Sequence, residues 1–454
     1  MGVFGVYGVK NAGSVIYYGL HLLQHRGQEG AGIATFDADG VCHHHRGIGL
    51  GNTIFDADKL AARDDEIALG GTLYAGGVNA GLDNVQPLVF RQKTGDFAIV
   101  GDGHLVNGRQ IRDYLENRGA IFQTATDAEL LANLIKKSTS EARIISITSA
   151  LNMMEGGFAF VIMTKNRLYA CRDKYGIKPL CIGKLGDGYV VSSESCSFDF
   201  IGATMLRDVE PGEIVTIDHN GLRSRRYSRF QKHMMCAMEY IYLARPDSDI
   251  DGCNVHAFRK EAGRRLFREC PADADIVVGV PDSSLSAASG YAEESGLPYE
   301  MGLIKNRYVT RTFIMPNQDM RERVVHIKLA AVRSIVAGKR IVLVDDSIVR
   351  GTTCLQIVQM LRDAGAKEVH VRIASPMMTH PCFYGVDTTT PDQLLCSTRT
   401  LDEACKAIKA DSLGYLSYES TRAASFGCSE LCLACFNGEY PTALYQCEYE
   451  QDEE

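Results

Sequence analysis

No stretch of about 18 consecutive apolar residues occurs in this chain, so no membrane-spanning helix is expected. Positive charge is not in excess either: 48 Lys and Arg stand against 56 Asp and Glu, a formal charge of −8. That balance disfavours a dedicated nucleic-acid or anionic-membrane binder, but it is compatible with a local basic site for a phosphorylated small molecule. Internal repeats and low-complexity tracts are missing, and the composition excludes disordered and collagen-like classes. The stretch Met1–Gly8 is apolar but has no basic flank, so it reads as a buried strand and not as an export signal. A cytoplasmic location is therefore expected, with the 15 cysteines as reduced thiols or metal ligands and not a disulfide framework. What is present is ordinary globular material: 454 residues, 45% hydrophobic and 23% charged, enough for about two or three domains.

The two halves differ in rhythm. The first holds short apolar strands between glycine turns: Val3–Tyr7, Ala31–Phe36, Phe97–Val100, Phe158–Met163, Arg167–Arg172 and Tyr189–Ser192. Helices are predicted over Ser14–Gln24 and over Asp127–Lys137, the latter capped by Thr126. This pattern predicts stacked sheets covered by helices. The polar, basic stretch Tyr227–His233 reads as a crossing to a second domain, which divides the chain into 1–230 and 231–454. Beyond it, Asp275–Val280, a helix through Glu294, a strand over Tyr299–Ile304, a strand over Arg340–Val344, a helix over Cys354–Ala364 and a strand over Glu368–Ile373 make βαβ units and a parallel sheet.

The most informative segment is Val344-Asp345-Asp346-Ser347-Ile348-Val349-Arg350-Gly351-Thr352-Thr353. A buried strand ends in two acids, small and hydroxyl residues follow, and a helix begins. Ligands of open α/β sheets bind at the carboxyl ends of strands, and a helix N-terminus receives phosphate. Ser347, Thr352 and Thr353 can add hydroxyl donors, while Asp345 and Asp346 suit sugar hydroxyls or Mg²⁺. Together these groups point to a phosphorylated ribose. No Gly-Lys-Ser/Thr follows, which excludes a P-loop.

This loop resembles the phosphoribosyltransferase signature. From Gly2 to about Tyr445 the chain is similar to the amidophosphoribosyltransferase (glutamine phosphoribosylpyrophosphate amidotransferase) family. Glu239–Ser248, Val280–Ala292, Lys305–Ile314 and His380–Asp387 carry the likeness together with the loop. The resemblance implies an N-terminal-nucleophile αββα sandwich followed by a type I phosphoribosyltransferase domain with a parallel sheet, an α+β and α/β combination. It implies that Asp345–Thr353, including Val349, Arg350 and Gly351, binds the ribose and 5′-phosphate of phosphoribosyl pyrophosphate. Asp282, Ser283 and Ser284 match the loop that meets the pyrophosphate, and Ser283, Asp345 and Asp346 match Mg²⁺ positions. The cationic stretch Lys305–Lys328 reads as a lid, with Lys305, Arg307 and Lys328 as the pyrophosphate contacts. Loss of pyrophosphate leaves an oxocarbenium-like carbon that ammonia attacks, so the protein stabilises the leaving charge and excludes water.

Cys432-Leu433-Ala434-Cys435 fits a zinc site, a redox pair or half an iron–sulfur site. The resemblance adds Cys236 and Cys382 and implies a [4Fe–4S] cluster, with Zn²⁺ in the same four thiolates as the alternative. Cys428 stands as a spare. His43-His44-His45 reads as a solvated strand, because neighbours on a strand point to opposite faces.

The N-terminal half departs from its family. His25-Arg26-Gly27-Gln28 and Asp127-Ala128-Glu129 match the glutaminase domain, but Met1 stands at its nucleophilic cysteine and no Cys, Ser or Thr lies in the first ten residues. Leu73 replaces the arginine that grips the glutamine carboxylate, and Asp102 replaces the oxyanion-hole asparagine. Asp127, which would hold the glutamine ammonium, is kept. The expected function is a phosphoribosyltransferase that uses phosphoribosyl pyrophosphate, Mg²⁺ and ammonia without hydrolysing glutamine. The alternatives are a non-catalytic partner of an intact paralogue, or transfer to another amine. A homo-oligomer (dimer or tetramer, or mixed with that paralogue) and inhibition by purine nucleotides are implied by the resemblance.

Overall fold

The computed structural model describes all residues except 38, 62, 63, 75–80, 94, 139, 141, 229–231, 307–328, 387, 389, 390, 429 and 446–454. The first half builds two antiparallel sheets. One has the strand order Thr204–Asp208, Cys181–Leu185, Gly188–Ser192, Gly2–Tyr7, Ile67–Leu73, Gly30–Phe36, Cys42–Ile48. The other has the order Gly221–Arg226, Glu213–Asp218, Arg167–Arg172, Gly156–Thr164, Phe97–Leu105, Leu88–Phe90. Alternation along each strand decides the layering. Val3, Leu69, Val100 and Val161 fill the space between the sheets. Phe4 and Val6 point the other way, under Ile16 and Leu20 of the helix Ala12–Leu22. Phe158 and Phe160 meet Leu131, Leu134, Ile147 and Leu151 of the helices Asp127–Lys137 and Arg143–Met153. The result is the expected αββα sandwich.

The second half holds a four-stranded parallel sheet, whose strands we number β1 (Ile276–Gly279), β2 (Arg340–Asp345), β3 (Glu368–Ile373) and β4 (Ser412–Tyr415), paired in that order. Helices α1 (Val255–Glu269) and α2 (Leu285–Ser295) cover one face, with Phe258, Leu266, Ala288 and Tyr291 against Val277 and Val342. Helix α3 (Thr352–Asp363) covers the other, with Ile357, Val358 and Leu361 against Val278, Leu343 and Val371. Helices α1 and α2 cross closely. A Cβ at Gly263 would stand 1.9 Å from the Ala287 carbonyl oxygen, and one at Gly290 would stand 1.9 Å from that of Lys260. This crossing seats α2, and with it the loop at the α2 N-terminus.

Three expectations shift in detail. The strand expected over Tyr299–Ile304 is confined to Leu303–Lys305, paired with Leu329–Ala331, because Tyr299 instead bridges Val277 before the chain turns. Helix α3 starts at Thr352, not Cys354, because Gly351 at φ +81° breaks the chain just ahead of it. Helix α1 was not expected, since charged residues dilute its 3–4 spacing of Val255, Phe258, Ala262 and Leu266. His43, His44 and His45 are exposed on the outermost strand of the first sheet, as expected. Among the described residues no helix is long and apolar enough to cross a membrane.

Candidate active site and its neighbouring centres

β1 and β2 are adjacent parallel strands, so the loops leaving their carboxyl ends meet. The Ser284 hydroxyl donates to Asp345 Oδ1 at 2.8 Å, and the Ser283 hydroxyl hydrogen-bonds Asp346 Oδ2. The Ser347 hydroxyl donates to Asp346 Oδ1 at 2.7 Å, and the Asp346 N–H donates to Asp345 Oδ1 at 2.9 Å. Burial first, and then the neighbouring Asp346 charge, push the Asp345 carboxyl far above the ordinary carboxylate range; burial also raises Asp346. Two acids that oppose each other's ionisation, beside serine hydroxyls, form a hard oxygen donor set of the kind that Mg²⁺ satisfies. Val349 is tied in by its carbonyl, which accepts from the Leu395 N–H at 2.8 Å. Arg350, Thr352 and Thr353 are exposed at the mouth, with Gly351 between loop and helix. A Cβ on Gly351 would come within 3.0 Å of the Leu395 side chain.

Lys305 ends its strand beside the loop that follows β1 and holds Asp282 Oδ2 at 2.6 Å. Arg307 and Lys328 lie outside the described residues.

The four cysteines of the implied centre come from three distant segments. Met235–Cys236 and Leu431–Cys432 form a short parallel ladder in which Cys236 lies opposite Cys432. Cys435 sits in the helix that follows, and Cys382 accepts the Tyr384 N–H at 3.3 Å. All four belong to or pack against one buried cluster. Burial, and then the other thiols nearby, push Cys435 up, and burial pushes Cys432 up to about 12. Among the described residues no three His, Cys, Asp or Glu side chains converge to hold a metal ion.

The N-terminal centre carries a buried ionic network that the sequence did not reveal. Arg26 donates to Glu239 through both terminal nitrogens at 2.8 Å, to Glu194 at 2.7 Å and to Asp102 at 3.0 Å. The Met1 ammonium pairs with the other Asp102 oxygen at 2.6 Å, and Lys178 lies 3.7 Å from Glu239. His25 and Ser248 also contact Glu194, each at 2.7 Å, and the Arg245 N–H donates to it at 2.9 Å. Although burial alone would raise Asp102, the charges of Lys178, the Met1 ammonium and Arg26 hold it well below the usual range. Leu73 packs with Val85 and Met1. Asp127 accepts from the Leu105 N–H at 3.0 Å and pairs with His104 at 3.2 Å. Glu239 lies within a family-like segment, but its role emerges only once that segment packs across the two halves.

An amidotransferase-type sandwich joined to a parallel-sheet phosphoribosyltransferase with its two site loops in contact defines a two-domain phosphoribosyltransferase. The comparisons agree. The glutamine amidotransferase domain family matches residues 80–199 and the phosphoribosyl transferase domain family matches 257–410. The amidophosphoribosyltransferase of Bacillus subtilis (strain 168) is 51% identical over 452 residues, spanning 98% of this chain and 94% of that protein. That of Staphylococcus aureus (strain Mu50) is 46% identical over 455 residues, spanning 98% and 92%. The solved B. subtilis glutamine phosphoribosylpyrophosphate amidotransferase complexed with ADP and GMP superposes with a TM-score of 0.93 at 50% identity, covering 98% of each chain. The chain belongs to the amidophosphoribosyltransferase family, pentosyltransferases of purine biosynthesis.

Proposed function

We propose that this chain transfers the phosphoribosyl group of phosphoribosyl pyrophosphate to ammonia, and that it does not hydrolyse glutamine. The observation that carries the second half is Asp102. A buried carboxylate, paired with Arg26 and the Met1 ammonium, stands where an oxyanion needs a donor and would repel it. The apolar packing of Leu73 with Met1 and Val85, and the engagement of Asp127 by His104, support the same reading.

In the transferase half, Ser347, Thr352 and Thr353 with the α3 N-terminus receive the 5′-phosphate. Val349, Arg350 and Gly351 shape that cradle. Asp345, Asp346 and Ser283 hold Mg²⁺ and the ribose hydroxyls, while Asp282 and Ser284 frame the pyrophosphate. Mg²⁺ supplies charge compensation for the leaving pyrophosphate. Lys305, Arg307 and Lys328 cover that group and exclude water. The reading also includes a division near residue 230, a cytoplasmic location, and a homo-oligomer inhibited by purine nucleotides; the ADP and GMP bound to the B. subtilis relative support the last point.

The test is Mg²⁺-dependent pyrophosphate release from phosphoribosyl pyrophosphate by anaerobically purified protein, with ammonium chloride or with glutamine. Turnover with ammonium alone is expected. Turnover and glutamate release with glutamine would overturn the reading of Met1, Leu73 and Asp102. Silence with both, with binding retained, would favour a regulatory partner or another amine.

Cys236, Cys382, Cys432 and Cys435 are assigned to a [4Fe–4S] cluster that ties the C-terminal segment to the core. Anaerobic protein is expected to be brown with about four irons per chain. Cys432→Ser is expected to lose the colour and unfold earlier on heating. Colourless wild-type protein carrying zinc would replace the cluster with the single-ion alternative.

A further inference from the structure

Cys428 was left over by the cysteine pattern, and the fold gives it a partner. The hairpin of Asp249–Ile250 and Cys253–Asn254 immediately precedes α1, whose cap is the Asn254 side chain. Cys253 is 2% exposed within that hairpin. Cys428 is exposed, and its sulfur lies 3.6 Å from the carbonyl oxygen of Gly252, the residue bonded to Cys253. Cys428 therefore lies against the backbone that carries Cys253, and its thiol is the nearest titratable influence on the Cys253 thiol. One is open to solvent and the other is covered, and they come from segments far apart in the chain.

We propose that Cys428 and Cys253 form a redox-active pair, with exposed Cys428 attacking a low-molecular-weight disulfide and Cys253 resolving it into an intramolecular disulfide. In the first step the Cys428 thiolate sulfur bonds to one sulfur of the small disulfide. The S–S bond breaks, and one thiolate leaves and takes a proton. In the second step the Cys253 sulfur, having released its proton, attacks Cys428 Sγ and expels the second small thiol. Two protein thiols are oxidised and one small disulfide is reduced to two thiols. The division of labour follows from exposure, since access decides which sulfur meets the oxidant. It also follows from the environment of Cys253, where burial and then the adjacent Cys428 push the thiol up to about 12, so it is a poor first attacker. Once Cys428 is in the mixed disulfide, its own sulfur is the nearest electrophile to Cys253, and proximity replaces intrinsic reactivity.

The consequence is a staple. The segment just after Cys428 carries Leu431–Cys432 and the helix Ala434–Asn437. Oxidation would bind that segment covalently to the start of α1, independently of any metal centre. Asp249 and Asp251 near Cys253 favour a neutral reagent over an anionic one.

The test treats the full-length, anaerobically purified protein with 2-hydroxyethyl disulfide, followed by non-reducing peptide mapping. Wild-type protein is expected to yield a Cys253–Cys428 cross-linked peptide without an accumulating adduct. Cys253→Ser is expected to hold a stable mercaptoethanol adduct on Cys428, and Cys428→Ser is expected to give neither product. A stable adduct on wild-type Cys428 without the cross-link, or no modification of Cys428 at all, would overturn the proposal. The wild-type arm decides the matter even if either variant folds poorly.

Discussion

Asp102→Asn is expected to destabilise the protein by about 3–5 kcal/mol in urea unfolding, and to leave glutamate release from glutamine at background. The reason lies in the balance of the buried network. Asp102, Glu194 and Glu239 face Arg26, Lys178 and the Met1 ammonium, and removing one carboxylate leaves cationic charge buried without its partner. Restoring an asparagine to the oxyanion position would still leave Met1 and Leu73 in place of a nucleophile and a carboxylate clamp. The pH dependence has a definite sign. A carboxyl held below its unfolded value of ~4 stabilises the fold above that pH and loses its contribution as pH falls toward the folded value. Wild-type stability should therefore fall more steeply than that of Asp102→Asn as the pH drops below about 4. Equal stability of the two proteins would remove the network from the account of the fold. Glutamate release by the variant would show a glutaminase one residue from active.

Asp345→Asn is expected to weaken Mg²⁺-dependent binding of phosphoribosyl pyrophosphate on the order of 10²-fold, the usual cost of removing one preorganised electrostatic contact. Here the acid is displaced upward: burial first, then Asp346, push Asp345 up to about 8. Such a group holds its proton more tightly in the folded protein than in the unfolded chain, where its pKa is ~4. Without metal, the pair therefore costs stability as pH rises from about 4 toward 8. In the proposed site, Asp345 would give up that proton when Mg²⁺ is held there. Affinity should be weak near pH 6, tighten through about pH 8, and be accompanied by proton release. Calorimetry in buffers of different ionisation enthalpy measures both quantities. In Asp345→Asn the pH slope should flatten. Unchanged affinity in the variant would remove Asp345 from the metal site, and a pH-independent wild type would mean that the pair is already ionised.

Much of this was legible along the chain because it is local. The loop proposed to hold the phosphate is ten consecutive residues, and its place between a parallel strand and a helix N-terminus follows from local sequence alone. The strands Val3–Tyr7 and Phe158–Met163 were legible as apolar runs, but Val3 and Phe4, like Phe160 and Val161, are all apolar, and packing alone decided which of them faces the other sheet and which the helices. Met1, Leu73 and Asp102 were also visible as single-residue departures from a family pattern, and the proposal that glutamine is not hydrolysed rests on them. Helix α1 was not, because its apolar stripe is narrow and the charged residues between its members hide the period.

Contacts between remote segments were decided only by the tertiary structure. Cys236 and Cys432 face each other because a two-residue parallel ladder joins segments nearly 200 residues apart, a pairing that no spacing encodes. Cys253 and Cys428 meet for the same kind of reason. Asp102 reads in the sequence as a lost donor; in the fold it is a member of an ionic network, with Glu239 reaching in from the second half of the chain. The strength of a charge pair depends on separation and on the water excluded around it, and both are fixed only when the layers close.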